Sequence, residues 1–139
     1  MKKTIALLMI VFLPQAHAQW EEYVRSPDGE MAHFYDATKL VRDRGQTTFR
    51  LPIKVEYQSP VVALNGGLVV SSGLMDYEFD CANKKVRVLS IEGFTMPNLK
   101  GELSLTSSEL PDWRRGHLNR WTSYEDEPHY KPVVSRFCS

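Results

Sequence analysis

Hydrophobic and polar positions alternate through the middle of this chain. In "TTFRLPIKVEY", Phe49, Leu51, Ile53, Val55 and Tyr57 fall on one parity, and Thr48, Arg50, Pro52, Lys54 and Glu56 on the other. Successive side chains of a strand point to opposite faces, so this period of two predicts one buried and one wet face. Pro52 has no N–H to give to a ladder, which predicts an edge strand or a bulge. "MDYEFDC" repeats the pattern: Met75, Tyr77, Phe79 and Cys81 alternate with Asp76, Glu78 and Asp80. "ANKK" then supplies a turn, and "VRVLSIEGF", rich in β-branched residues, reads as the returning strand.

"VVALNGGLVV" sets Asn65-Gly66 between two apolar runs, a hairpin signal. Its glycines lack the following lysine and hydroxyl that a phosphate loop needs. Earlier, "WEEYVR" and "AHFYD" predict two short strands joined through a Ser26-Pro27-Asp28-Gly29 turn. "DATKLVRDRG" fits a single helical turn, capped by Asp36 and ended by Gly45. In "PVVSRFC", Val134 and Cys138 lie four apart, as do Val133 and Phe137, behind a Pro132 suited to a first helical position. The expected fold is α+β, mainly β: a single antiparallel sheet of about five or six strands, packed on one face by a short C-terminal helix.

The leader changes the picture of where this sheet works. Lys2 and Lys3, an apolar run from Ile5 to Leu13, and Ala16-His17-Ala18 read as a secretory signal peptide over residues 1–18. The run is far short of the roughly 18 residues a spanning helix needs, and Pro14 breaks it. The expectation is one exported domain over residues 19–139, with no membrane span after signal removal. Without Lys2 and Lys3, the seventeen Lys and Arg fall to fifteen against seventeen Asp and Glu. A slight acidic excess argues against nucleic acid as a partner and gives no attraction to an anionic bilayer. At 42% hydrophobic and 11% aromatic residues, a packed core is expected.

Both cysteines lie in the exported part. In an oxidising compartment a Cys81–Cys138 disulfide is the simplest reading; a free or intermolecular thiol and a catalytic or metal-binding one are the alternatives. Parity turns Cys81 inward with the aromatic residues, and Asp80 beside it disfavours a thiolate. A bridge would close a loop of about 57 residues, worth on the order of 4 kcal/mol by chain entropy. There is no C-x-x-C or H-x-x-x-H spacing for zinc, and no G-x-S-x-G context for a serine nucleophile. No catalytic residues, metal or cofactor are expected. The outward carboxylates Asp76, Glu78 and Asp80 are expected to face lysines on a neighbouring strand.

Several short motifs together resemble the surface-adhesin protein E family of exported bacterial proteins. They are Trp20, Val24, Ser26 and Gly29 after the leader, Phe34-Tyr35-Asp36, Gly45, Tyr57-x-x-Pro60, "YEFDC" followed by "RVL", and a cysteine at the very end. The aromatic-acidic-cysteine strand paired with the terminal cysteine is the most specific of these. The resemblance implies an antiparallel sheet against a C-terminal helix, and adhesion to host extracellular-matrix or serum proteins such as vitronectin and laminin. Adhesins displayed this way can be lipid-anchored, and the cleavage region here has no cysteine to take a lipid. The expected location is therefore the periplasm or the cell surface and medium.

Candidate partner-binding residues concentrate between Ser107 and Tyr130. Trp113, Arg114 and Arg115, with Arg120 and Trp121, are residue types enriched at interface hot spots. The plainer reading is that the tryptophans pack this segment down and the arginines neutralise Glu125, Asp126 and Glu127. Lys84, Lys85 and Arg87 form a second basic patch, or a lysine-tipped hairpin that blunts an edge. His117 and His129 beside the acidic run have no ligand spacing for a metal. The sequence thus favours an exported, non-catalytic binding module; the alternative is a soluble periplasmic protein that binds a small ligand or serves the envelope.

Overall fold

The computed structural model describes residues 19–42, 44–63 and 67–138. Six antiparallel strands follow one another across the sheet: β1 (Glu21–Arg25), β2 (Met31–Tyr35), β4 (Thr48–Ala63), β5 (Leu68–Asp80), β6 (Lys85–Met96) and β7 (Lys100–Thr106). Two short strands join at the sides, β3 (Val41–Arg42) on β4 and β8 (Thr122–Ser123) on β6. The helices are α1 (Asp112–Arg115) and α2 (Lys131–Phe137). The predicted mainly-β sheet with a C-terminal helix is what forms. The predicted leader, residues 1–18, lies outside the described residues, and so does the Asn65-Gly66 turn; the strands flanking that turn do pair, Ala63 opposite Leu68.

The alternation in β4 decides which side becomes core. Phe49, Leu51, Ile53 and Val55 are buried, and so are Tyr77 and Phe79 of β5 and Val86 of β6 on the same face. Phe49 stacks on Phe79 with ring centres 5.0 Å apart. Burying each such side chain contributes roughly 1.5–3 kcal/mol. Pro52, however, does not mark an edge: β4 lies between β2 and β5. The β2 register covers Ile53 to Tyr57 and the β3 register covers Phe49 and Arg50. Residues 51 and 52 therefore face a gap on that side, where a missing N–H costs no ladder bond. The β4–β5 register shift falls between Glu56 and Val61, away from the proline.

Asp36 caps as expected, accepting the Thr38 amide at 3.0 Å, but the chain makes only a three-residue 3-10 turn, Ala37–Lys39, before entering β3. The predicted single helical turn thus forms, but it ends at Lys39 and not at Gly45, because Val41 and Arg42 pair with β4.

α2 closes the core. Val133 is fully buried, and Val134, Phe137 and Cys138 pack on the same cluster. Phe137 meets Tyr35 edge-on at 5.4 Å, and Tyr130 meets Phe79 edge-on at 5.7 Å. Arg136 donates to Glu21 at 2.7 Å and to the Tyr35 hydroxyl, tying the helix to the β1–β2 hairpin. A Cys81–Cys138 disulfide, with Cα atoms 5.3 Å apart, fastens the helix end to the end of β5. Farther along the sheet, Val70, Leu105 and Leu110 form a second, smaller cluster.

Candidate binding face

The face that α2 leaves uncovered carries an ordered row of charge. Arg50, Glu78 and Arg87 stand side by side across β4, β5 and β6, in direct register. The Glu78 carboxylate accepts Arg87 Nε at 2.6 Å and Arg50 Nε at 3.4 Å. Glu78 is only 7% exposed, so its charge has lost most of its water and depends on these two partners. On the far side, the Arg87 guanidinium lies 4.4 Å from the centre of the Trp121 ring. Arg50 keeps 59% of its side chain in solvent, and Val41 beside it is exposed.

A second row on this face is closed. Lys54 pairs with Phe34 of β2, and its ammonium sits 4.4 Å from the Phe34 ring and 5.6 Å from the Trp20 ring. It also reaches Glu56 at 3.1 Å and Asn98 at 3.2 Å. At 5% exposure, Lys54 has exchanged water for two rings, a carboxylate and an amide. Its charge is internal, whereas those of Arg50 and Arg87 face outward.

The structure divides the sequence candidates among three places. Arg87 and Trp121 meet on the uncovered face. Lys84 and Lys85 stand at the β5–β6 hairpin, where Lys84 bonds Glu125 at 2.7 Å. Arg115 bonds Asp112 within α1 at 2.6 Å. Arg114 lies with His117 along an apolar groove under the 105–118 segment. Trp113 belongs to α1, and Arg120 is exposed just ahead of Trp121. In the acidic run, Glu125 bonds Lys84 and Glu127 lies 3.5 Å from His129 Nδ1. Of the outward carboxylates only Asp80 faces a lysine across the ladder, Lys85 of β6, and the hydrogen bonds of all three go to other groups. Glu78 is held by arginines, Asp76 accepts Ser90 Oγ at 3.0 Å, and Asp80 accepts Asn83 and Thr47. The Asn83 bond is the main reason Asp80 stays below the usual carboxylate range.

Arg50 and Glu78 were not among the sequence candidates, although a signal existed. The four-residue turn 81–84 places 80 against 85 and therefore 78 against 87, and the β4 alternation puts Arg50 on the same face. His33 and His129 stack with ring centres 6.0 Å apart, a pairing with no sequence signal. Burial pushes both imidazoles below their usual pKa, and His129 adds to the effect on His33. Among the described residues no cluster of three His, Cys, Asp or Glu side chains could hold a metal, and no helix is long and apolar enough to cross a membrane.

The sheet thus carries an arginine-and-indole face on one side and a disulfide-fastened helix on the other. Residues 20–139 match the family model of surface-adhesin protein E, and the chain belongs to that family. Membership makes it an adhesin-like, exported or surface protein. Its fold is similar to the crystal structure of protein E from non-typeable Haemophilus influenzae, with a TM-score of 0.58 and 11% identity over 95% of this chain and 88% of that one. No curated protein sequence matches the chain.

Proposed function

We propose that the exported domain, residues 19–139, is a non-catalytic adhesive module that binds a host extracellular-matrix or serum protein through the face bearing Arg50, Arg87 and Trp121. The observation that carries this is the row Arg50–Glu78–Arg87–Trp121. The Arg87 guanidinium is held in place by a buried carboxylate and an indole, so little of its side-chain entropy remains to be lost on binding. Arg forks match carboxylates of an acidic partner surface, and Trp supplies apolar area at low entropic cost. Lys84, Lys85 and Arg120 extend the positive rim, while Trp113, Arg114 and Arg115 belong to a separate flank. The domain acts at the cell surface or after release, its signal removed.

The test presents the purified domain to immobilised vitronectin and laminin. Saturable binding is expected, weakened at least tenfold by Trp121→Ala and by Arg50→Glu, with circular dichroism unchanged. Absence of saturable binding, or variants that bind like the parent, would overturn the proposal.

A further inference from the structure

The opposite side of the sheet holds a groove that the adhesive face does not use. It encloses about 510 Å³, within the range of small-molecule sites, which are mostly apolar with a few placed polar groups. Among the described residues Val70, Met75, Val88, Ile91, Leu105 and Leu110 give its apolar lining, and Arg114 and His117 its polar edge. We propose that this groove binds a free, single-chain fatty acid, with the acyl chain along the sheet and the carboxylate toward Arg114 and His117.

Three features support that occupant. The first is a notch in the β5 side-chain row: Gly73 follows the parity of Met75, Tyr77 and Phe79 but adds no bulk. A Cβ there would meet nothing within 4 Å except the Glu92 carbonyl oxygen, at 3.3 Å. The packed core of the α2 end therefore gives way to open space one step beyond Met75. The second is the unshielded apolar rim: Val61, paired with the groove residue Val70, is 38% exposed. A chain laid against it would remove this surface from water, at roughly 25 cal/mol per Å².

The third is charge. The positive field of Arg114 reaches the Tyr57 phenol in the groove wall, where it opposes the upward shift caused by burial. Glu92, the one acidic residue among the described lining residues, approaches through its backbone and belongs by register to the other face, opposite Leu74. Apolar walls with a guanidinium at the margin fit an acyl carboxylate better than a neutral lipid or a cationic amphiphile.

The experiment titrates the oxidised domain with laurate below its micelle concentration, and with lauryl alcohol, by calorimetry. Saturable one-to-one binding of laurate is expected, at least tenfold tighter than the alcohol. Gly73→Leu, which fills the notch, should abolish it, and Arg114→Gln should weaken it about tenfold while the alcohol affinity stays the same. If Gly73→Leu does not fold, Val88→Phe narrows the groove from β6 instead. Equal affinity for acid and alcohol, no saturation, or a plugged variant that binds like the parent would overturn the assignment. So would flotation with phosphatidylglycerol vesicles in the absence of laurate binding. Gly73→Leu should leave binding to matrix proteins intact, so the two proposals fail separately.

Discussion

Arg87 is held between Trp121 and Glu78: its guanidinium lies 4.4 Å from the indole centre and donates to the buried carboxylate at 2.6 Å. Arg87→Ala removes the better of the two partners of Glu78, leaving only the 3.4 Å bond from the largely exposed Arg50. An uncompensated buried charge costs about 3–5 kcal/mol; the surviving arginine should reduce this to roughly 1–3 kcal/mol. Arg50→Ala, which trims an exposed pair, should cost under about 1 kcal/mol. Urea unfolding of the two variants checks the order. Equal losses would mean that Arg87 does not dominate the site.

Replacing Cys81 and Cys138 together by serine should lower stability by on the order of 4 kcal/mol, from the entropy of the freed 57-residue loop in the unfolded chain. Val133 and Phe137 would still attract α2 to the sheet, so the helix should remain while becoming the first part to exchange amide protons. Guanidinium melts and hydrogen exchange measure the two effects. Thiol titration of the denatured wild type should find none free.

Stability should fall as the pH drops below about 6.5. His33 and His129 are shifted down, chiefly by burial, so the folded chain takes up protons less readily than the unfolded one. Their contribution is complete above the unfolded value of 6.5 and is lost as pH drops below it. The loss should be modest, because both rings keep part of their surface in solvent. Glu127 at 3.5 Å partly offsets the effect on His129, and the Tyr23 and Tyr130 rings complete the surroundings. Carboxylates held low, such as Glu21 and Asp80, lose their contribution only below their ordinary values of 4.5 and 3.8. Thermal melts should show a lower Tm at pH 5 than at pH 7.5, and His33→Gln should flatten the slope. A flat profile for the wild type would contradict this.

Gly101→Ala should destabilise more than Gly29→Ala. Both glycines have positive φ, +79° and +78°, a conformation that costs other residues about 1–2 kcal/mol. At Gly29 an added Cβ meets nothing within 4 Å; at Gly101 it would lie 2.4 Å from Thr95 Oγ1 and 2.8 Å from Met96 Cγ. Thr95 Oγ1 accepts the Glu102 amide at 2.9 Å, so clearing the clash breaks that bond and adds roughly another 1 kcal/mol. Comparative urea melts would measure the difference.

The sheet was readable because period two survives wherever one face is buried, as from Phe49 to Tyr57 and from Met75 to Cys81. Pro52 misled because the rule against interior prolines concerns unpaired ladder positions, and a gap between two neighbouring strands is decided by tertiary pairing. The site was half visible. Arg87 and Trp121 stood out by residue type, but what joins them is β8, two residues long and without any periodicity. The groove had no signature at all, since it comes from a missing side chain at Gly73 and from the path of the 105–118 segment across the sheet.

The Cys81–Cys138 bridge also sets how the chain responds to a pull. Drawn by its two ends, it can extend only through the segment before Cys81, while the 57 residues beyond are bypassed by the sulfurs. That withholds about 190 Å of contour length, at roughly 3.3 Å per residue. Arg87 and Trp121 lie inside the shielded loop, and Arg50 and Glu78 lie on the tensioned part. Under flow, the two halves of the Arg50–Glu78–Arg87–Trp121 row would thus carry load unequally, with the indole end slack while β1 to β5 bear the strain.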